Sequence, residues 1–97
     1  MTHVILWTYE VAPEHEAAFA AAYGGDGDWA TLFARAEGFI GVELYRHGLL
    51  FLTIDRWASR AAFEAFQARF AADYAALDAK LAPLSQNQRY LGGFDRP

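Results

Sequence analysis

Residues 49–57 read LLFLTIDRW. Seven of the nine are apolar or β-branched, and the run follows a turn-forming His47-Gly48 pair. That composition specifies a strand. Side chains alternate across a strand, so Leu49, Phe51 and Thr53 point one way and Leu50, Leu52 and Ile54 the other. Both faces are therefore apolar, whereas an antiparallel strand in a small domain ordinarily keeps one wet face. Something has to cover each side.

The neighbouring segments supply one cover. Residues 39–46, FIGVELYR, read as a second strand, joined to the first through His47-Gly48 as a hairpin. A two-residue turn at His47-Gly48 sets Arg46 opposite Leu49 and Leu44 opposite Phe51; a three-residue loop reverses that parity, and the sequence admits both. Upstream, HVILWTYEV at 3–11 is a strand of β-branched and aromatic residues. Pro13 suits the first turn of a helix through EHEAAFAAAY, with Glu14 and Glu16 favourable at its positive end. GGDGD at 24–28 ends that helix, Asp28 is a good N-cap for a short helix WATLFARA, and Gly38 stops it.

After the opening stretch, Ser59 can cap a longer helix. Its apolar positions, Phe63, Phe66, Phe70, Tyr74, Leu77, Leu81 and Leu84, step by three and four throughout. Pro83 marks its end, and the pattern allows a break near 70–72 without demanding one. QNQRYLGGF at 86–94 is a last strand weakened by two glycines. The order is β-α-β-β-α-β with one extra short helix. It predicts an α+β, ferredoxin-like domain over residues 1–97, with helices on one side of an antiparallel sheet. No segment is left for the other side. A second copy of the chain is the simplest cover, and the pattern predicts a homodimer joined through the sheet faces.

Composition agrees with that expectation. Of the 97 residues, 55% are hydrophobic and 16% aromatic. A chain of this size buries only about 60–68% of the surface its unfolded form exposes, which favours self-association. The net charge is −4 and the arginines are scattered from Arg35 to Arg96, so no nucleic-acid partner is expected. No apolar run approaches the length of a membrane span. MTHVILWTYE lacks the features of a signal peptide, and without cysteine there is no thiolate chemistry or disulfide framework. A cytoplasmic protein is the expectation.

Few chemical groups converge in sequence. His3, His15 and His47 have no partner at ligand spacing, so no metal site is expected. Ser59 and Ser85 occupy capping positions rather than nucleophile positions. GGDGD lacks the lysine of a phosphate loop and the length of a calcium loop. Glu10, Glu43 and Asp55 lie on strands, and each is either a buried general base or a solvated, arginine-paired carboxylate, Asp55 having Arg56 beside it. Trp7, Tyr9, Trp29, Phe33, Trp57, Phe66, Phe70 and Tyr74 should meet on the helix side of the sheet, as core or as the wall of a small-molecule pocket.

The frame EVAPEHEAAF, W-x-x-L-F, GFIGVELYR and LTIDRWASRAAFEAF resembles the antibiotic biosynthesis monooxygenase family of dimeric α+β barrels over about residues 4–94. Its most specific parts are Trp57-Ala58-Ser59 with Ala62-Phe63, and Gly38 to Leu44. The resemblance implies a homodimer with facing sheets and a pocket between sheet and helices for a small aromatic ligand. It implies oxidation of phenols, quinols or polyketide anthrones by O2 with no metal or flavin cofactor. Related haem-degrading members have a tryptophan matched by Trp57, but their asparagine and histidine places hold Trp7 and Gln67, so haem degradation is not expected. The catalytic candidates are then Trp57, Tyr74, Arg89 and Asp55, with Tyr9 as a further replacement for the missing polar groups. Trp7, Tyr9, Trp29, Phe33, Trp57, Phe66 and Phe70 are the substrate-binding candidates. A non-catalytic, ligand-binding or stress-associated barrel is the alternative, and an isomerase or decarboxylase on the same scaffold a third.

Overall fold

A computed structural model describes residues 2–97. Strand β1 (His3–Glu10) leads through a single 3-10 turn at Pro13–His15 into α1 (Glu16–Tyr23) and α2 (Asp28–Phe33). The β2 (Phe39–His47) and β3 (Leu50–Trp57) hairpin follows, then α3 (Arg60–Arg69), α4 (Ala71–Leu81) and β4 (Gln86–Asp95). All pairings are antiparallel, in the order β2-β3-β1-β4. This is the α+β, ferredoxin-like arrangement that the element order predicts.

Period-two alternation divides the sheet. Phe51, Thr53 and Trp57 of β3 and His3, Ile5 and Tyr9 of β1 are buried beneath the helices. The residues that alternate with them, Leu52 and Ile54 on β3 and their register partners Thr8 and Leu6 on β1, face the other way. Across that second face Tyr45 lies opposite Leu52 and Phe94 opposite Val4. Tyr45, Leu50 and Phe94 remain 53%, 45% and 51% exposed. An apolar surface of this continuity is more than the scattered exposed side chains of an ordinary monomer.

The buried side is an aromatic layer. Phe19 stacks on Tyr23 with centroids 4.0 Å apart, and Tyr9 and Phe51 tilt against Phe19 at 5.2 and 5.0 Å. Trp57, 0% exposed, is enclosed by Phe33, Phe39, Phe63 and Phe66 at 5.2–5.7 Å. Each such ring contributes about 1.5–3 kcal/mol by burial. Tilted and offset pairs add to that through their quadrupoles.

Several local expectations are corrected. The hairpin turn is Gly48-Leu49 rather than His47-Gly48, so Arg46 pairs with Phe51, His47 with Leu50, and Leu44 with Thr53. Gly48 has φ +59 and Leu49 is not in the positive-φ region. Positive φ at the first central residue alone suits a type II′ turn, which favours glycine there. Leu49 is further fixed because its carbonyl accepts from the Val11 amide at 2.9 Å. Asp28 is the first residue of α2 and not its cap; Gly27 precedes it, and α2 ends at Phe33, short of Ala36. Ser59 does cap α3, its Oγ accepting from the Ala62 amide at 3.1 Å. The long helix breaks at Phe70, whose φ of −110° and ψ of 23° separate α3 from α4.

Gly38 sits where the chain enters β2, at φ +85, and a Cβ there would lie 2.6 Å from the Ala62 Cβ. Both the backbone region and the close approach of α3 require glycine. Gly38→Ala should cost roughly 1–3 kcal/mol of stability through this strain. Gly41→Ala, where nothing lies within 4 Å, should cost much less. Urea denaturation of the two variants checks the difference.

Candidate active site

Where α4 and α2 stand off the sheet, a cavity of about 300 Å³ remains between them and the strands. Strand alternation brings Trp7, Tyr9, Thr53 and Asp55 to its floor, and Val42 adds an apolar neighbour. Helices supply the roof: Tyr23 from α1, Trp29 and Phe33 from α2, Tyr74 and Asp78 from α4. Tyr74 and Asp78 are four residues apart and so share one face of their helix. The break at Phe70 frees α4 to turn that face inward. Gln88 of β4 closes one side. The walls are mainly aromatic with a few polar groups, as small-ligand sites usually are.

Asp55 is the chemically distinctive group. It is flanked in the sheet by Val42 on β2 and Ile5 on β1. The side chain has no hydrogen bond or ion pair with the described residues. The surface it retains is cavity wall, and desolvation there pushes its pKa up to about 7. Arg56, adjacent in sequence, points to the opposite face. There its Nε donates to Glu43 Oε1 at 2.6 Å, and that bond holds the Glu43 carboxyl below its usual range. Glu10 is exposed and accepts from Asn87 Nδ2 at 2.7 Å. Of the four strand carboxylates, with Asp95 of β4 held against His3 Nδ1 at 2.7 Å, Asp55 alone is both enclosed and unpaired among the described residues.

The phenols around it are held protonated. Burial raises Tyr9 far above its ordinary value, an effect that the Thr53 hydroxyl partly offsets. Burial, with Asp78 and Asp55 nearby, pushes Tyr74 up to about 12. Burial also raises Tyr23. The Trp29 indole N–H lies near enough to Tyr23 to lower that phenol slightly. It nevertheless makes no hydrogen bond of good geometry and is left buried without an acceptor. The cavity thus presents two carboxylates without a partner among the described residues, Asp55 and Asp78, and several donors.

Of the sequence candidates, Trp7, Tyr9, Trp29, Phe33, Tyr74 and Asp55 line this cavity. Trp57 lies outside it, in the aromatic core, with its indole nitrogen also lacking a partner. Phe66 and Phe70 stack in the core at 5.5 Å and border a separate shallow groove along α3. Arg89 is exposed on β4 in register with Thr8 and borders an open groove elsewhere. Tyr23, Val42, Thr53, Asp78 and Gln88 were not legible as wall residues. The spacing of Thr53 to Asp55 on a strand and of Tyr74 to Asp78 on a helix carried a signal for two of them. Among the described residues no cluster of His, Cys, Asp and Glu is arranged to hold a metal ion. Among the described residues no helix is long and apolar enough to cross a membrane.

A family model described as antibiotic biosynthesis monooxygenase matches residues 2–76. Among solved structures, SnoaB from Streptomyces nogalater, described as a cofactor-independent oxygenase, is 27% identical with a TM-score of 0.66, covering 99% of this chain and 91% of that one. A mutant form of SnoaB superposes with a TM-score of 0.73 at 23% identity, over 98% and 92% of the two chains. A putative antibiotic biosynthesis monooxygenase from Nitrosomonas europaea is 13% identical with a TM-score of 0.69, over 98% and 89%. No curated protein sequence matches the chain.

The Asp55 environment sets a sign for stability against pH. Its folded pKa of about 7 lies above its ordinary value of 3.8. Between those values the folded state holds a proton that the unfolded state has released, so stability falls as pH rises through that window and levels off above it. At most roughly 4 kcal/mol is involved, less as cavity water screens the charge. Asp55→Asn should flatten the profile between pH 4 and 7 and be the more stable protein at pH 8; denaturation curves across pH test both.

Proposed function

The chain belongs to the antibiotic biosynthesis monooxygenase family, and from that membership we propose that it is a cofactor-independent monooxygenase for an aromatic, quinol or polyketide-type substrate, with Asp55 as general base. The observation that carries this reading is the unpaired Asp55 carboxylate in the wall of the aromatic cavity. A base titrating near neutrality can take a phenolic proton and hold it. The resulting aryl oxide is electron-rich enough to reduce O2 itself. One oxygen atom then forms a ring carbonyl and the other leaves as water, so that phenol plus O2 gives quinone plus water. Asp55 returns its proton as the water departs. Tyr9, Tyr74 and Trp29 line the same cavity, and in this reading their phenols and the Trp29 N–H donate to the oxyanion while the substrate is charged. The aromatic walls keep competing water from the reactive anion. A cavity of about 300 Å³ suits one or two fused rings better than a larger polycycle.

The apolar outer face supports a homodimer through facing sheets. Leu52 lies at its middle, between Thr8 and Tyr45. Light scattering at micromolar concentration should find a dimer, and Leu52→Glu should yield monomers; a monomeric parent protein would remove this part of the reading.

Oxygen uptake with a panel of phenols, quinols and anthrones tests the activity. Asp55→Asn should lower kcat by about 100- to 10,000-fold, the range for losing a general base. The parent enzyme's rate should rise with pH through about 7, because only ionised Asp55 accepts a proton. A filled, wholly apolar interior would have favoured a non-catalytic barrel. Uptake indifferent to Asp55→Asn would argue against Asp55 chemistry.

A further inference from the structure

The half-buried carboxylates of this protein fall into two groups. Glu16 and Glu43 each meet an arginine, Arg46 at 2.5 Å and Arg56 at 2.6 Å. Asp55 and Asp78 meet no cation among the described residues, and both line the cavity. The nearest basic residue in sequence to Asp78, Lys80, reaches away to Asp28 at 3.7 Å. Arg35 is likewise engaged with Asp73 at 3.8 Å, outside the cavity. Among the described residues no Lys, Arg or His contributes to the wall.

The rings beside Asp78 have a matching chemistry. Tyr74 and Trp29 tilt together with centroids 4.8 Å apart, and Trp29 lies 6.1 Å from Tyr23. Asp78 is close enough to both tyrosines to act on their ionisation. Electron-rich ring faces next to a carboxylate attract an organic cation. Two carboxylates without further ligands are too few to hold a calcium-like ion, and no larger cluster is present among the described residues. The buried, acceptor-less Trp29 N–H adds a donor for an oxygen on the same ligand.

We propose that the cavity is selective for an aromatic ligand bearing a protonated amine, with Asp78 as the counter-ion of the amine and the Tyr74 and Trp29 faces beside it. This names a substrate class for the site proposed above and rests on the cavity being the substrate site. It also rejects aryl carboxylates, whose charge would face two unpaired acids and no cation.

Three probes of nearly equal size separate the outcomes: tyramine, 4-ethylphenol and 3-(4-hydroxyphenyl)propionate. Their binding to the full chain is read at pH 8 by calorimetry, without turnover. Tyramine should bind at least about tenfold more tightly than 4-ethylphenol, and the propionate most weakly, as expected for one partly desolvated cation at an aromatic face. Asp78→Asn should erase the tyramine advantage, read as the ratio of tyramine to 4-ethylphenol affinity within the same variant. Salt should weaken tyramine binding in the parent protein and not 4-ethylphenol binding, a check independent of any variant's folding. The proposal is overturned if the propionate binds as well as tyramine, if Asp78→Asn keeps the amine preference, or if none of the three binds at millimolar concentration. Amine-selective binding with no oxygen uptake would sink the oxygenase reading alone. Oxygen uptake without amine preference would sink this one alone.

Discussion

Side chains on a strand point alternately to two sides, and this chain has helices enough for one. That constraint at β3 organises the rest. Phe51, Thr53, Asp55 and Trp57 go to the helices, while Leu50, Leu52, Ile54 and Arg56 go to the other surface. A slip of one residue would exchange the two sets completely. It would expose Trp57, bury Arg56 and remove the acid from the cavity. Buried rings on one side and the cross-strand Arg56–Glu43 pair on the other both oppose such a slip.

The same alternation separates core from cavity along one strand. At the Trp57 end, four phenylalanines fill the space around the indole, and the interior is closed. Two residues earlier, at Asp55, the α4 helix presents Tyr74 and Asp78 rather than another phenylalanine, and space remains. Phe70 lies between the two regimes. Its non-helical backbone ends α3, lets Phe66 and Phe70 stack into the core, and lets α4 set off on a new line.

Much of this was legible in residue order. β-branched runs, the Ser59 cap and the three-and-four spacing of apolar residues specify elements through local physics, and these were readable directly. Asp55 and Tyr74 could be named as candidates because strand and helix periodicity give their faces. Other features depended on contacts between distant segments. The hairpin turn sits one residue later than His47-Gly48, and Val11, just past the end of β1, bonds the Leu49 carbonyl within it. Trp57 reads as a pocket wall from the sheet face it shares with the other aromatics and from its match to the family's tryptophan, yet Phe39, Phe63 and Phe66 enclose it from separate segments. Gln88 reaches the cavity from a strand whose register against β1 shifts twice, so its face could not be counted from the sequence.

Asp55 and Arg56 show why adjacency misleads in a sheet. Beside an arginine, an aspartate would ordinarily be read as paired and inert. The pleat sends the two side chains to opposite surfaces, with the backbone layer between them, and Arg56 finds Glu43 instead. Asp55 is left among Val42, Ile5 and the rings, with no cation to stabilise its charge. A structural carboxylate would gain by keeping its partner, since an enclosed unpaired charge lowers stability. An isolated one gains reactivity, because desolvation without a counter-ion raises its proton affinity toward neutrality. The sheet geometry that gives Glu43 its arginine therefore also denies Asp55 one, and that denial leaves desolvation unopposed in raising the proton affinity of the carboxyl.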